Sequence, residues 1–343
     1  MQMTAPAALY RDPAAYERER TGVFARTWQF IGNESEVSGP GDYLSDRIAG
    51  FPVVVVRDKA GTLRGFHNVC RHRAGPLVSE PRGTCEGELV CRYHGWRYAL
   101  DGRLRSAVDF GKAEGFDPRD YGLYPVRLEV WRGLIFVNLD EAAAPLMDGL
   151  APLERLFAER NISPGPATLR RGHEIACDWK VYVENYLEGY HIPVVHPELA
   201  AEVDCRGYRV SMHGAVAVHE VPTEDGAQQG LWAWAWPNLA VNIYRYGLMI
   251  EHMRPAGFGR TRLEYLYFYD PATARMDEVL AASDQLTVQD VWICERVQEN
   301  LNAGVYEAGV LSPRHEEAVG WFQARIMALH GLGVDAGKVA EPA

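Results

Sequence analysis

Basic residues are the scarce component of this 343-residue chain: 35 Lys and Arg face 46 Asp and Glu, a formal charge of −11. Phosphate binding needs a basic face, so this balance argues against a nucleic-acid partner. Cysteine is sparse as well, and six in the whole chain do not make a disulfide framework. Long apolar runs are missing: stretches such as FPVVVV at 51–56 have strand length and fall far short of a bilayer span. The opening MQMTAPAALYRDPAAYERER lacks the apolar centre of a secretory signal. The expectation is a cytoplasmic protein with reduced thiols and no membrane partner. Internal repeats and low-complexity segments are lacking too.

What is present is enough apolar material for a core. The chain is 47% hydrophobic and 24% charged, which reads as globular, and its length exceeds the usual single core. Residues 7–30 have helical apolar spacing. From Gly41 the period changes to strands. DYLSDRIAGFPVVVVRDKAGTLRGFHNVC reads as strand, turn, strand, and Asp101-Gly102 and Arg132-Gly133 mark further hairpins. A Pro/Ala-rich join follows near 141–153. Asp178 is placed to cap a helix from Trp179 to about Tyr190, stopped by Pro193. Residues 207–270 are strand-rich, and 275–302 and 313–332 are helical. The expected divisions are a helical lead at 1–42 packing on the last domain, a β domain at 43–150, and a second domain at 151–343.

Two segments carry unlike ligand pairs. CRHRAGPL (70–77) holds Cys70-x-His72, and CRYHGW (91–96) holds Cys91-x-x-His94. Zinc sites usually use matched knuckles. Mixed pairs at hairpin tips suit a [2Fe–2S] cluster in which two thiolates hold one iron and two imidazoles the other. Unrelated core residues are the plain alternative. Downstream, NYLEGYHIPVVHPEL (185–199) holds His191 and His196. Five residues apart do not share a helix face, but a break at Pro193 lets a turn bring them together. Two imidazoles and a carboxylate on one side of an iron leave positions open for O2. Glu188 lies three residues before His191, a spacing that puts both on one helix face and suits a carboxylate orienting the ring.

Together these segments resemble the Rieske non-heme iron oxygenases, the ring-hydroxylating oxygenase α-subunit family, over most of the chain from Cys70 to at least Gln298. The resemblance implies an α+β protein: an all-β Rieske domain plus a catalytic domain with an antiparallel sheet flanked by helices, of the helix-grip type. It implies one [2Fe–2S] cluster on Cys70, His72, Cys91 and His94, and one Fe(II) on His191, His196 and a distant carboxylate. TVQDVWICERVQENL (287–301) resembles the family's C-terminal helix and points to Asp290, with Glu295 and Asp284 as rivals. It implies a head-to-tail homotrimer in which Glu188 bridges His191 to the neighbour's His94 for electron transfer. Asn185, Tyr186 and Tyr190 pack or hydrogen-bond around the site. Partners are O2, a small organic substrate and a flavin/iron–sulfur reductase drawing on NAD(P)H.

The high-potential respiratory Rieske type carries an extra loop disulfide and a hydroxyl donor to the cluster sulfurs. Here Ala74-Gly75 and Gly95-Trp96 supply neither, so a low potential is expected. Glutamate at the bridge resembles the branch acting on quaternary ammonium and N-methyl compounds such as betaine and carnitine. Trp232, Trp234 and Trp236 share a strand face at period two and are either sheet packing or a cage for a methylammonium. Asn242 and Tyr244 are placed to line the same cavity, and Arg206 or Arg209 to hold a substrate carboxylate. Ring hydroxylation is the rival activity, and a Rieske electron carrier without oxygenase activity the rival class.

Overall fold

The computed structural model describes residues 1–222, 228–244, 247–269 and 276–333. They form two compact units, one of residues 24–144 and one of 1–23 with 145–343. These bounds differ from the expected 43–150: the strand at 29–33, which falls within the expected lead of 1–42, pairs with the strand at 134–138 in the first unit.

In the first unit the strands are β1 (Gln29–Asn33), β2 (Asp42–Ile48), β3 (Phe51–Arg57), β4 (Leu63–His67), β5 (Arg82–Thr84), β6 (Glu88–Val90), β7 (Arg97–Ala99), β8 (Leu104–Ser106), β9 (Arg127–Trp131) and β10 (Leu134–Asn138). They make three antiparallel sheets, ordered β1-β10-β9, β4-β3-β2-β5 and β6-β7-β8. The β-branched run in β3 is buried on both faces, as a central strand requires. The three turn signals read from the sequence join β3 to β4, β7 to β8 and β9 to β10. The loop with Cys91 and His94 is a true hairpin tip between paired β6 and β7. The loop with Cys70 and His72 is not: it joins β4 to β5, which sit at opposite edges of their sheet.

The second unit begins with two short helices, α1 (Ala8–Arg11) and α2 (Pro13–Glu19). They are separate because Asp12 caps the second, accepting from Ala14 N at 2.9 Å, and Pro13 sits where a first-turn N–H is not needed. After α3 (Leu146–Glu159) come β11 (Leu169–Ile175), α4 (Trp179–Tyr186), α5 (Ile192–Val195) and α6 (Pro197–Ala200). Six strands follow: β12 (Arg209–His213), β13 (Val216–Pro222), β14 (Gln228–Ala235), β15 (Leu239–Tyr244), β16 (Gly247–Gly257) and β17 (Arg260–Tyr269). With β11 they form one seven-stranded antiparallel sheet ordered β11-β17-β16-β15-β14-β13-β12. The long α7 (Met276–Ala303) and α8 (Glu317–Leu329) close the unit. This is the expected α+β architecture with helices on an antiparallel sheet. None of the described helices is long and apolar enough to cross a membrane.

The helix α4 is anchored by buried charge. Asp178 caps it, accepting from Lys180 N at 3.0 Å. The Lys180 ammonium, fully buried, lies 2.7 Å from Asp178 and 2.8 Å from Glu19 of α2. A buried ammonium persists only when paired, so α2 and α4 are locked together. That fixes the start of the helix whose far end carries the site.

Candidate active site

The two cysteine–histidine loops are built alike. Cys70 N donates to Gly75 O at 2.8 Å, and Cys91 N to Trp96 O at 2.9 Å. Each closes a turn around its sulfur. The loops approach so closely that a Cβ on Gly75 would meet Cys91 Sγ at 2.8 Å, so only glycine fits there. Both cysteines are buried. The His72 and His94 rings lie 4.5 Å apart between centroids, and His72 stacks on Trp96 at 4.9 Å with planes 7° apart. His72 Nδ1 is buried without a hydrogen-bond partner. A buried imidazole nitrogen without a hydrogen-bond partner beside two clustered thiols is what a cluster ligand presents, so the residues fit the [2Fe–2S] group.

One expectation is corrected here. A hydroxyl does reach the sulfur of Cys70. It comes from the strand after the second loop rather than from the loop tips: Tyr98 Oη lies 3.2 Å from Cys70 Sγ and accepts from Arg71 N at 3.0 Å. With its acceptor side taken by that backbone N–H, the phenol proton is directed to the sulfur. Burial and the neighbouring Cys70 hold the phenol well above its ordinary pKa, so it remains a donor.

In the second unit, α4 ends at Tyr186, four residues short of the expected end. Pro193 does not stop a helix but stands in the first turn of α5, where its missing N–H costs nothing. His191 and His196 bracket this single turn, and their ring centroids are 5.2 Å apart. Asp290 of α7 completes the group: its Oδ1 is 2.9 Å from His196 Nε2 and 3.7 Å from His191 Nε2. One ligand atom from each of the three lies within 4.8 Å of the others.

The far side of each ring is tied down. Glu188 Oε1 is 2.5 Å from His191 Nδ1, and Gln289 Oε1 is 2.7 Å from His196 Nδ1. Each oxygen is placed to accept an Nδ1–H, which leaves both Nε2 atoms turned toward Asp290. Asn185 Nδ2 donates to Asp290 Oδ1 at 2.8 Å. Burial pulls His196 down, but the hydrogen bond and charge of Asp290, with Gln289 behind, more than reverse this and leave it above its ordinary pKa. The pocket at Nε2 thus favours positive charge. The donor set, its spacing and this electrostatic bias all fit a mononuclear iron.

Glu188 and His191 do not share a helix face. Both follow the end of α4. The Glu188 carboxylate turns forward and accepts from the backbone N–H groups of Tyr190 and His191, a turn that delivers its other oxygen to the ring. The rivals to Asp290 work elsewhere or stay out of the group. Glu295 accepts from Ala176 N at 3.0 Å, and Asp284 is not among the three gathered donors.

The triad opens on a cavity of about 930 Å³. Trp232, Asn242 and Tyr244 line it. Trp234 and Trp236 do not: they pack with Trp321 and Phe322 at centroid distances from 5.8 to 6.3 Å. The same strand face is covered by α8 at one end and open to the cavity at the other. Tyr190 is also outside the cavity, 59% exposed and stacked on His315 at 4.7 Å. Arg206 and Arg209 are exposed and do not line it. The sequence reading missed Gln289, Tyr182, Tyr208, Glu251 and Tyr265. The last two left a trace, as a lone acid inside the apolar run LMIEHM and as the period-two tyrosines of LEYLYFY.

Comparison with known proteins agrees with this geometry. Residues 27–116 match the Rieske [2Fe-2S] domain, and 166–221 with 209–331 match the ring hydroxylating alpha subunit catalytic domain. The chain is 32% identical over 334 residues to the chloroplastic choline monooxygenase of Arabidopsis thaliana, covering 89% of this chain and 78% of that protein. It is 30% identical to the carnitine monooxygenase oxygenase subunit of Escherichia coli K12, covering 88% and 85%. Among solved structures, the quaternary ammonium Rieske monooxygenase CntA with L-carnitine superposes with a TM-score of 0.85 at 27% identity, covering 96% of each chain. Another CntA structure, TM-score 0.83 at 26% identity and covering 96% and 95%, is described as revealing inter-subunit electron transfer.

Proposed function

The chain belongs to the Rieske non-heme iron oxygenases, terminal oxygenases supplied with electrons by a reductase, and we propose that its substrate is a small quaternary ammonium or N-methyl compound. The observation that carries this is the cavity beside the triad, walled by tyrosines and Trp232 and bearing carboxylates at Glu188, Glu202, Glu251 and Glu278 besides Asp290. Aromatic faces and carboxylates together suit a methylated ammonium. The choline and carnitine activities of the relatives point the same way.

In this reading Cys70 and Cys91 hold one cluster iron and His72 and His94 the other. His191, His196 and Asp290 hold the mononuclear iron. Bound there, the iron would supply O2 activation, drawing on electrons from the cluster. The protein groups do the rest. Glu188 and Gln289 fix the imidazole tautomers, Asn185 orients Asp290, and the aromatic walls exclude water and hold a C–H bond of the substrate toward the triad. Hydroxylation of an N-methyl carbon yields a hemiaminal that collapses to the demethylated amine and formaldehyde.

The proposed assembly is a head-to-tail homotrimer in which Glu188 approaches His94 of the partner subunit. The exposure of His94 and the inter-subunit transfer described for CntA support it. Purified protein with a surrogate reductase, offered choline, carnitine, betaine and simple aromatic substrates, tests the function. The expected result is NADH consumption coupled to oxidised or demethylated amine, read by mass spectrometry. Coupled formation of hydroxylated rings alone overturns the substrate class.

A further inference from the structure

The inner face of the catalytic sheet carries one acid where its neighbours are apolar or aromatic. Glu251 lies in β16, paired across to Tyr265 of β17 and Ala240 of β15. It lines the cavity and is 5% exposed. Its partners are all neutral. Tyr265 Oη donates to Glu251 Oε1 at 3.3 Å, and Tyr182 and Asn242 hydrogen-bond the same carboxylate. Tyr186 Oη donates to Asn242 Oδ1 at 2.7 Å. That bond occupies the amide oxygen and leaves the NH2 to serve Glu251.

Two phenols and an amide are placed as donors to this carboxylate and favour its ionised form against the burial that opposes it. They do not neutralise it. A buried charge with neutral partners is costly unless a counter-ion arrives. The rings of Tyr182, Tyr186, Tyr265 and Trp232 stand around the same space, and their faces attract a cation more strongly than they solvate an anion.

Resting on the substrate class proposed above, we propose that Glu251 is the counter-ion of the substrate's ammonium group. It holds the cationic nitrogen at the floor of the cavity, near Asp290, so that an adjacent C–H bond faces the triad. Burial and the nearby charge of Asp290 push the Glu251 carboxyl up to about 7, so a cation held between the two acids favours its ionised form. Glu251 thus selects cations over neutral molecules of the same shape.

The test uses holoenzyme and two ligands of matched shape, choline and its uncharged isostere 3,3-dimethylbutan-1-ol, titrated by calorimetry without reductase. The parent is expected to bind choline at least ten-fold more tightly than the isostere. Glu251→Gln is expected to lose that preference by ten-fold or more while its affinity for the isostere stays within two-fold. Glu251→Asp, which keeps the charge, is expected to retain part of it. Retention of the full preference by Glu251→Gln overturns the assignment of Glu251 alone. Equal loss in the Asp and Gln variants identifies cradle shape rather than charge and also overturns it. A parent enzyme with no preference for choline removes the substrate class and the proposal together.

Discussion

Glu188 Oε1 lies 2.5 Å from His191 Nδ1, and both residues stand in the turn after α4 rather than on a helix. The contact fixes which imidazole nitrogen faces Asp290 and His196. It also puts a carboxylate behind the ring, at the position from which electrons are proposed to arrive.

Glu188→Gln keeps the size and one acceptor of the side chain. Removing such an outer partner of a ligand histidine typically costs 10–100-fold in metal affinity or activity. Turnover is expected to fall by roughly 10–100-fold with the cluster spectrum unchanged. Stopped-flow single-turnover mixing is expected to show slow reloading of the mononuclear site. Reloading at the parent rate removes Glu188 from the proposed route.

Asp290→Ala separates the two metal sites. Its Oδ1 binds both His196 Nε2 and Asn185 Nδ2, so its loss leaves two histidines without the anionic ligand. Iron analysis is expected to show loss of the mononuclear iron, while the visible absorption of the cluster is retained. Full iron content in this variant would reassign the third ligand.

Tyr98→Phe removes the hydroxyl at Cys70 Sγ without changing the packing of a fully buried ring. A hydrogen bond to the cluster stabilises its reduced, more negative form. A bond of about 1 kcal/mol corresponds to a few tens of millivolts for a one-electron couple, on the scale of about 59 mV per ten-fold change. Potentiometry is expected to place the variant lower by that amount. An unchanged midpoint would mean that the hydroxyl is turned away from the sulfur.

Trp232 and Trp234 lie two residues apart with different surroundings. Trp234→Ala empties a fully buried site against Phe322 and is expected to cost about 3–5 kcal/mol of stability. Trp232→Ala opens the cavity wall instead. It is expected to raise KM for cationic substrates with a smaller loss of stability. Thermal unfolding and steady-state kinetics on the pair check this; the opposite pattern would exchange their roles.

His219 supplies a pH dependence. Burial pushes its pKa down to about 3, and Tyr208 Oη lies 2.6 Å from its Nδ1. The unfolded chain takes up a proton near pH 6.5 that the folded chain refuses. Stability from this group is therefore full above pH 6.5 and falls toward pH 3, by at most about 1.4 kcal/mol per pH unit. His219→Gln is expected to flatten the acid side of the stability profile in denaturant titrations between pH 5 and 7. Parallel profiles would show that His219 is charged when folded.

The proposed metal donors were legible because ligand chemistry demands particular residue types at short spacing. Cys70-x-His72 and Cys91-x-x-His94 are recognisable wherever they fold, and so are two histidines beside a proline. Local turn chemistry was legible too: Asp178 caps α4 and Asp101-Gly102 makes its hairpin. The choice among carboxylates was harder. Asp284, Asp290 and Glu295 sit on one helix, and only the packing of α7 against α4 turns Asp290 toward the histidines. Period two likewise grouped three tryptophans, but it cannot say that α8 covers Trp234 and Trp236 and leaves Trp232 to the cavity wall.

What the sequence alone determined is the chemistry available: thiolates, imidazoles and acids in the proportions two metal centres require, on a chain able to form strands and helices in the right order. What only the tertiary structure decided is which of the remaining polar groups meet. Glu251, Gln289 and Tyr98 reach their partners across 14 to 93 residues of chain. No local pattern encodes such distances, because the meeting is made by sheet register and helix packing, which are properties of the whole fold.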